Sequence, residues 1–125
     1  MPESVIHVEH LSKSYGDVRA VKDLSFDVTA RQCHAFLGPN GAGKTTAMKV
    51  LYGKAQPDRR PDTRISVFGF DPRSEELEIK TMSGVVPQED NLDVELNVYQ
   101  NLRIFSRFYN MSRAQAEKRI DYLID

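Results

Sequence analysis

This chain lacks any stretch that could hold itself in a bilayer. No apolar run approaches the roughly 18–20 residues of a membrane-spanning helix, and the N-terminus carries no signal-peptide core. An excess of one charge sign is lacking too. Seventeen basic and 18 acidic side chains leave a net charge of −1, so no nucleic-acid partner is expected. Cysteine is nearly absent: the lone Cys33 excludes an intrachain disulfide, suits a reducing compartment and, inside an apolar run, is expected to be buried and inert. His7, His10 and His34 are scattered without ligand spacing and read as structural. No internal repeat or low-complexity tract is visible. The expectation is a soluble, cytoplasmic polypeptide of 125 residues, within the size of one domain, whose membrane association must come through a partner.

What is present is concentrated between Gly38 and Thr46. Gly38-Pro39-Asn40-Gly41-Ala42-Gly43-Lys44-Thr45 fits the phosphate-loop pattern, two glycines separated by four residues and followed by Lys and Ser/Thr. A triphosphate needs several main-chain N–H groups converging at once, and glycine lets the chain curl that tightly without a clashing Cβ. Lys44 is placed to reach the β- and γ-phosphates, and the Thr45 hydroxyl to ligate Mg²⁺. The helix that follows aims its positive dipole end at the same anion. The flanks suit this reading. Cys33-His34-Ala35-Phe36-Leu37 is expected to be a short buried strand, and Thr45 to Tyr52 an apolar helix stopped by Gly53.

Elsewhere the pattern is mixed. Val5 to Leu11 alternates weakly and Leu24 to Thr29 cleanly, as half-exposed antiparallel strands do, with a turn at Tyr15-Gly16-Asp17. Ala55 to Thr63 reads as loop, Ile65 to Phe68 as a strand, Glu75 to Lys80 as a short helix, and Val85-Val86 as a strand ended by Pro87. The last third is helical. Val98, Leu102, Phe105 and Tyr109 recur at helical spacing and are read as a core stripe, with Leu96 and Phe108 beside them. Ser112 and Gln115 form a capping box that opens another helix with the stripe Ala116, Ile120 and Leu123. With no glycine, asparagine or basic last turn after Ile124, the chain is expected to stop in mid-element.

Together these motifs resemble the amino-terminal half of an ABC-type ATPase, the nucleotide-binding subunit of ATP-driven membrane transporters. Tyr15-Gly16 stands where that family has an aromatic that stacks on adenine, although a tyrosine beside a glycine is in itself an ordinary turn residue. Leu24-Ser25-Phe26 matches the strand leading to the loop. Val85-Val86-Pro87-Gln88-Glu89 resembles the glutamine loop, whose Gln reaches Mg²⁺ and the attacking water; Gln88 alone would read as a solvated loop residue. The wording of Phe36 to Gly41 and of Pro87 to Leu92 is similar to subunits driving drug, polysaccharide or lipo-oligosaccharide export.

The resemblance implies an α/β fold: a phosphate-loop (RecA-like) core, an N-terminal antiparallel β-subdomain and the start of a helical subdomain, truncated. Its expected boundaries are 1–33, 34–90 and 91–125. It implies nucleotide contacts from Tyr15 and from Gly38, Pro39, Asn40, Gly41, Ala42, Gly43, Lys44, Thr45 and Thr46. Catalytic roles fall to Lys44 and Gln88, and metal contacts to Thr45 and Gln88. The implied cofactors are ATP and Mg²⁺. The implied partners are a transmembrane permease subunit, met through Val86 to Phe108, and a second nucleotide-binding domain arranged head to tail, with the protein peripheral on the cytoplasmic face of the membrane.

There are departures. The family usually has glycine where this chain has Arg31-Gln32, and again around Asp62-Thr63, both positions favouring positive φ. The Leu-Ser-Gly-Gly-Gln signature, the Asp-Glu strand end and the switch histidine are not in the sequence, so the chain alone is expected to bind ATP without sustained turnover. Three other readings stay open: another phosphate-loop enzyme such as a kinase or GTPase, a non-transport ABC protein, and an inactive fragment. The strands preceding the phosphate loop argue against the first, and balanced charge against a DNA- or ribosome-acting version of the second.

Overall fold

The computed structural model describes residues 3–39, 41–86 and 92–125 and divides into two units, Met1–Met82 and Ser83–Asp125. Unit one is built on a three-stranded antiparallel sheet in the order β2-β1-β3, from β1 (Ser4–Tyr15), β2 (Val18–Thr29) and β3 (Arg64–Val67). A two-residue turn joins β1 to β2, with Gly16 supplying positive φ (59°) in the first turn position, as Gly-X hairpins require.

The weak alternation of β1 has a structural cause. Register moves from Val8↔Phe26 to Leu11↔Leu24, one extra residue on β1, and then to Lys13↔Val21, one extra on β2. Each bulge reverses which parity faces inward. Val8 is therefore buried in one frame and Leu11 in the next, while on the partner strand the buried side passes from Phe26 and Leu24 to Val21. His10 (φ 54°) and Asp23 (φ 46°) take these two kinks, and further register shifts fall between Ser4 and Ile6 and between Lys13 and Ser14. Their side chains bond to each other at 2.7 Å, while His10 N–H donates to Ser25 Oγ and Asp23 N–H to Ser12 Oγ. The N–H groups freed by the bulges are thus satisfied by hydroxyls.

Helix α1 (Lys44–Leu51) lays Ala47, Val50 and Leu51 onto this sheet, and α2 (Glu76–Met82) adds Ile79. With Val8, Leu11, Val21, Ile65 and Val67 these form one core. Gly53 (φ 81°) closes α1, and a Cβ there would come within 2.7 Å of Glu76 Cβ.

In the second unit α3 (Val98–Phe108) packs on α4 (Arg113–Ile124). Ser112 and Gln115 make the expected reciprocal cap, and Asn97 with Gln100 make another at the start of α3. Asn101 is buried, its amide donating to the carbonyls of Asp93, Leu96 and Asn97 while its oxygen accepts the Asp93 N–H.

Three expectations, two strands and a core stripe, are corrected. Residues 32–39 form no strand; Cys33 is exposed and Leu37 is 92% exposed. Val85-Val86 is likewise strand-free, with Val86 at 97% exposure. A strand exists only by bonding to a neighbour, and among the described residues neither segment has one. The α3 stripe is core only in part, since Val98 and Phe108 are largely exposed. Of the glycine substitutes, Arg31 does take positive φ (63°), whereas Asp62 and Thr63 do not.

Candidate functional site

Gly43, at the start of α1, lies against Ala20 and Val21 of β2. Gly41 (φ 87°) and Gly43 (φ 90°, ψ 7°) both lie in the left-handed region that glycine enters without strain. They differ in surroundings. A Cβ on Gly41 would meet nothing within 4 Å, but one on Gly43 would press into the Ala20 carbonyl oxygen and lie 3.2 Å from Val21 Cγ2. Gly43 is therefore where the loop leans on the sheet. Ala42 N–H donates to Pro39 O at 3.1 Å, tightening the turn before it.

Helix α1 begins at Lys44 with no side-chain cap and no acidic residue in its first turn. Its leading N–H groups have no partner within the helix, and its positive end stays uncompensated by local carboxylates. Lys44 Nζ donates to the Gly38 carbonyl, so the ammonium lies across the loop that precedes it. Thr45 is exposed and Thr46 half-buried. A recess of about 270 Å³ borders the loop, lined by residues that include Lys22, Leu24, Phe36, Gly43 and Lys44, with no carboxylate among them. Asn40 and Pro87 to Asn91, hence the magnesium role expected of Gln88, lie outside the described residues.

These features fit a polyphosphate: main-chain donors, a helix start and an ammonium gathered in one short segment. They also fit magnesium of the kind held largely by substrate phosphates, with the Thr45 hydroxyl as the protein's donor. Among the described residues no group of three or more His, Cys, Asp or Glu could hold a metal unaided.

Tyr15 ends β1 beside the hairpin turn and is 49% exposed. Its cross-strand partner is Val18, two residues from the Ala20 that touches Gly43, or roughly 7 Å along the strand. Lys13 Nζ lies 4.8 Å from the centre of the Tyr15 ring.

The histidines serve as cross-strand ties. His7 bonds Asp27 at 2.6 Å and Glu9 at 2.9 Å, and His10 bonds Asp23. Hydrogen bonds to Asp27 and Glu9 raise the pKa of His7, and the bond to Asp23 raises that of His10; Asp27 and Asp23 are lowered in turn by their histidines. His34 stacks on Phe26 with ring centres 5.8 Å apart.

A β-hairpin followed by a glycine loop that opens a helix is the arrangement expected of the ABC-type ATPase fold. A solved chain described as "Structure of ATP binding subunit of ABC transporter" superposes with a TM-score of 0.77 at 29% identity, over 92% of this chain and 47% of that one. The family described as "ABC transporter" matches residues 21–124, and this chain belongs to that family. Among curated relatives, the Nod factor export ATP-binding protein I of Paraburkholderia xenovorans (strain LB400) is 40% identical over all 125 residues and 40% of its own length. The protein of that name from Rhizobium meliloti (strain 1021) is 40% identical over 99% of this chain and 36% of its own. The chain thus spans about 40% of the length of the curated relatives it matches. Among the described residues no helix is long and apolar enough to cross a membrane.

Proposed function

We propose that this chain is the MgATP-binding segment of an exporter-type ABC ATPase subunit. The observation that carries this is Gly43, held at positive φ against Ala20 and Val21 and opening an uncapped helix at Lys44. Lys44 and the loop amides bind the β- and γ-phosphates, Thr45 contacts Mg²⁺, and Tyr15 stacks on adenine. Gln88 completes the metal and water contacts. When bound, magnesium neutralises charge on the phosphates; the chain's own share is to position them.

Hydrolysis belongs to the complete subunit, of which this chain would supply the phosphate-binding part. Closure against a second nucleotide-binding domain, head to tail, is passed to a transmembrane permease on the cytoplasmic face. The apolar side chains Val86, Val94, Val98 and Phe108, all largely exposed, support Val86 to Phe108 as that contact. The relatives' name favours export as the direction of transport.

A MgATP titration of the wild-type chain and Lys44→Ala tests the site. The substitution should lower affinity about 10- to 150-fold, the loss expected when a charge-assisted contact worth about 1.5–3 kcal/mol is removed. Equal affinity in the two proteins would overturn the assignment.

A further inference from the structure

The strand that ends in Tyr15 is held by a residue far away in sequence. β3 pairs with β1 only from Ile6 to Glu9, leaving the Tyr15 end of β1 with a strand on one side alone. Asp58 fills the other side. Its N–H donates to Ser12 O at 2.8 Å, and its carboxylate accepts the Ser14 N–H at 3.0 Å and the Ser14 hydroxyl at 2.9 Å. One residue thereby extends the ladder that β3 leaves off and satisfies a strand edge otherwise open to solvent. The carboxylate is firmly engaged: the Ser14 N–H, joined by its hydroxyl, holds the Asp58 pKa below the usual carboxylate value.

What this clamp fixes is the ring beside it. Ser14 lies between Lys13 and Tyr15, and Lys13 covers one face of the Tyr15 ring. A cation on one face leaves the opposite face free for a flat π-system, and the half exposure of Tyr15 leaves it accessible. We propose that Asp58 is a positioning residue for the adenine ring: by clamping Ser14 it sets the end of β1, so that Tyr15 presents its uncovered face to the base of a nucleotide whose phosphates lie on Gly38 to Thr46. The inference rests on the nucleotide-binding reading above.

The test titrates the full chain with MgATP and with magnesium tripolyphosphate, which has no base. Wild type, Asp58→Ala, Tyr15→Ala and the double substitution are compared. Tyr15→Ala should weaken MgATP about tenfold, the scale of one base–aromatic stack, and leave tripolyphosphate unchanged. Asp58→Ala should produce a loss up to that size with the same selectivity. In the Tyr15→Ala background it should add nothing, because a residue acting only through the ring is fully coupled to it. Asp58→Asn, which keeps an acceptor oxygen for the Ser14 N–H, should restore most of the affinity. Should Asp58→Ala not fold, Ser14→Ala removes the hydroxyl arm alone and should give a smaller loss confined to MgATP.

Three results overturn the inference: no MgATP effect of either Asp58→Ala or its Ser14→Ala substitute, an equal loss for both ligands, or a loss that adds to that of Tyr15→Ala. The two levels separate cleanly. A wild type that binds neither ligand refutes the phosphate-loop reading and this inference with it. A wild type that binds both, with Asp58→Ala indistinguishable from it, refutes only the role of Asp58.

Discussion

Gly43→Ala isolates the contact that seats the phosphate loop on the sheet. At φ 90° an L-residue pays about 1–2 kcal/mol for the left-handed conformation. Gly41, at φ 87°, carries the same backbone cost in open space and serves as the control. At Gly43 the new methyl also meets the Ala20 carbonyl and Val21 Cγ2. Ala20 is the unpaired residue of β2 between Val21 and Arg19, which pair with Lys13 and Ser14 of β1, so its neighbours hold it on the sheet and most of the displacement falls on the loop. Overpacking of that kind costs about 1–3 kcal/mol more, giving roughly 2–5 kcal/mol for Gly43→Ala against about 1–2 for Gly41→Ala. In a unit this small each kcal/mol is worth about 4–8 °C, so thermal melts of the two variants should differ by at least roughly 4 °C. Tripolyphosphate affinity should fall further in Gly43→Ala as well, because its loop is displaced. If Gly43→Ala melts no lower than Gly41→Ala and binds tripolyphosphate equally well, close packing on β2 is not what places the loop.

Two further outcomes probe the sheet. The His7–Asp27 and His10–Asp23 ties give stability that is fully present below the ordinary imidazole pKa of 6.5 and fades as pH rises through the raised values. The aspartates, lowered from 3.8, give stability that is present above 3.8 and lost as pH falls through their lowered values. Melting temperature should therefore peak between about pH 4 and 6.5 and decline above, with a shallower decline in His10→Asn; a flat profile from about pH 6 to 9 would remove the ties as stabilisers. Arg31→Gly should stabilise the chain by about 0.5–1 kcal/mol, relief of left-handed strain at φ 63° outweighing the extra freedom glycine gains when unfolded. A lower melting temperature in that variant would show that the Arg31 side chain contributes more than its backbone costs.

Legibility in the sequence followed the range of the interactions. The caps at Ser112–Gln115, the stop at Gly53 and the turn at Gly16 depend on residues a few positions apart, and each is found where its spelling places it. The phosphate loop was equally plain as a motif, since its spacing is local. The paired bulges were not: they are specified jointly by His10, Asp23, Ser12 and Ser25 on two strands, and the only trace in one strand is an alternation that falters after Glu9. Asp58 was missed for the same reason. Inside a run of Pro, Asp and Arg it reads as loop punctuation, and nothing near it in sequence points to Ser14, 44 positions away.

The strands that did not form show why the antiparallel part stands alone. A hairpin such as β1–β2 brings its own partner through a two-residue turn, so its ladder closes at little entropic cost. Cys33 to Leu37 and Val85-Val86 have apolar composition suited to parallel strands, whose neighbours arrive by crossover from distant sequence. Apolar content makes such a segment seek burial, but it cannot supply the ladder, and a lone strand leaves its N–H and C=O groups to water. The exposure of Leu37 and Val86 follows from that. The phosphate loop is less affected than the strand expected before it. Gly41, Gly43, the start of α1 and the flank of β2 all lie within the first unit. The proposed phosphate site thus rests on a local scaffold of Gly41, Gly43, the start of α1 and β2, and does not need the strand expected before it.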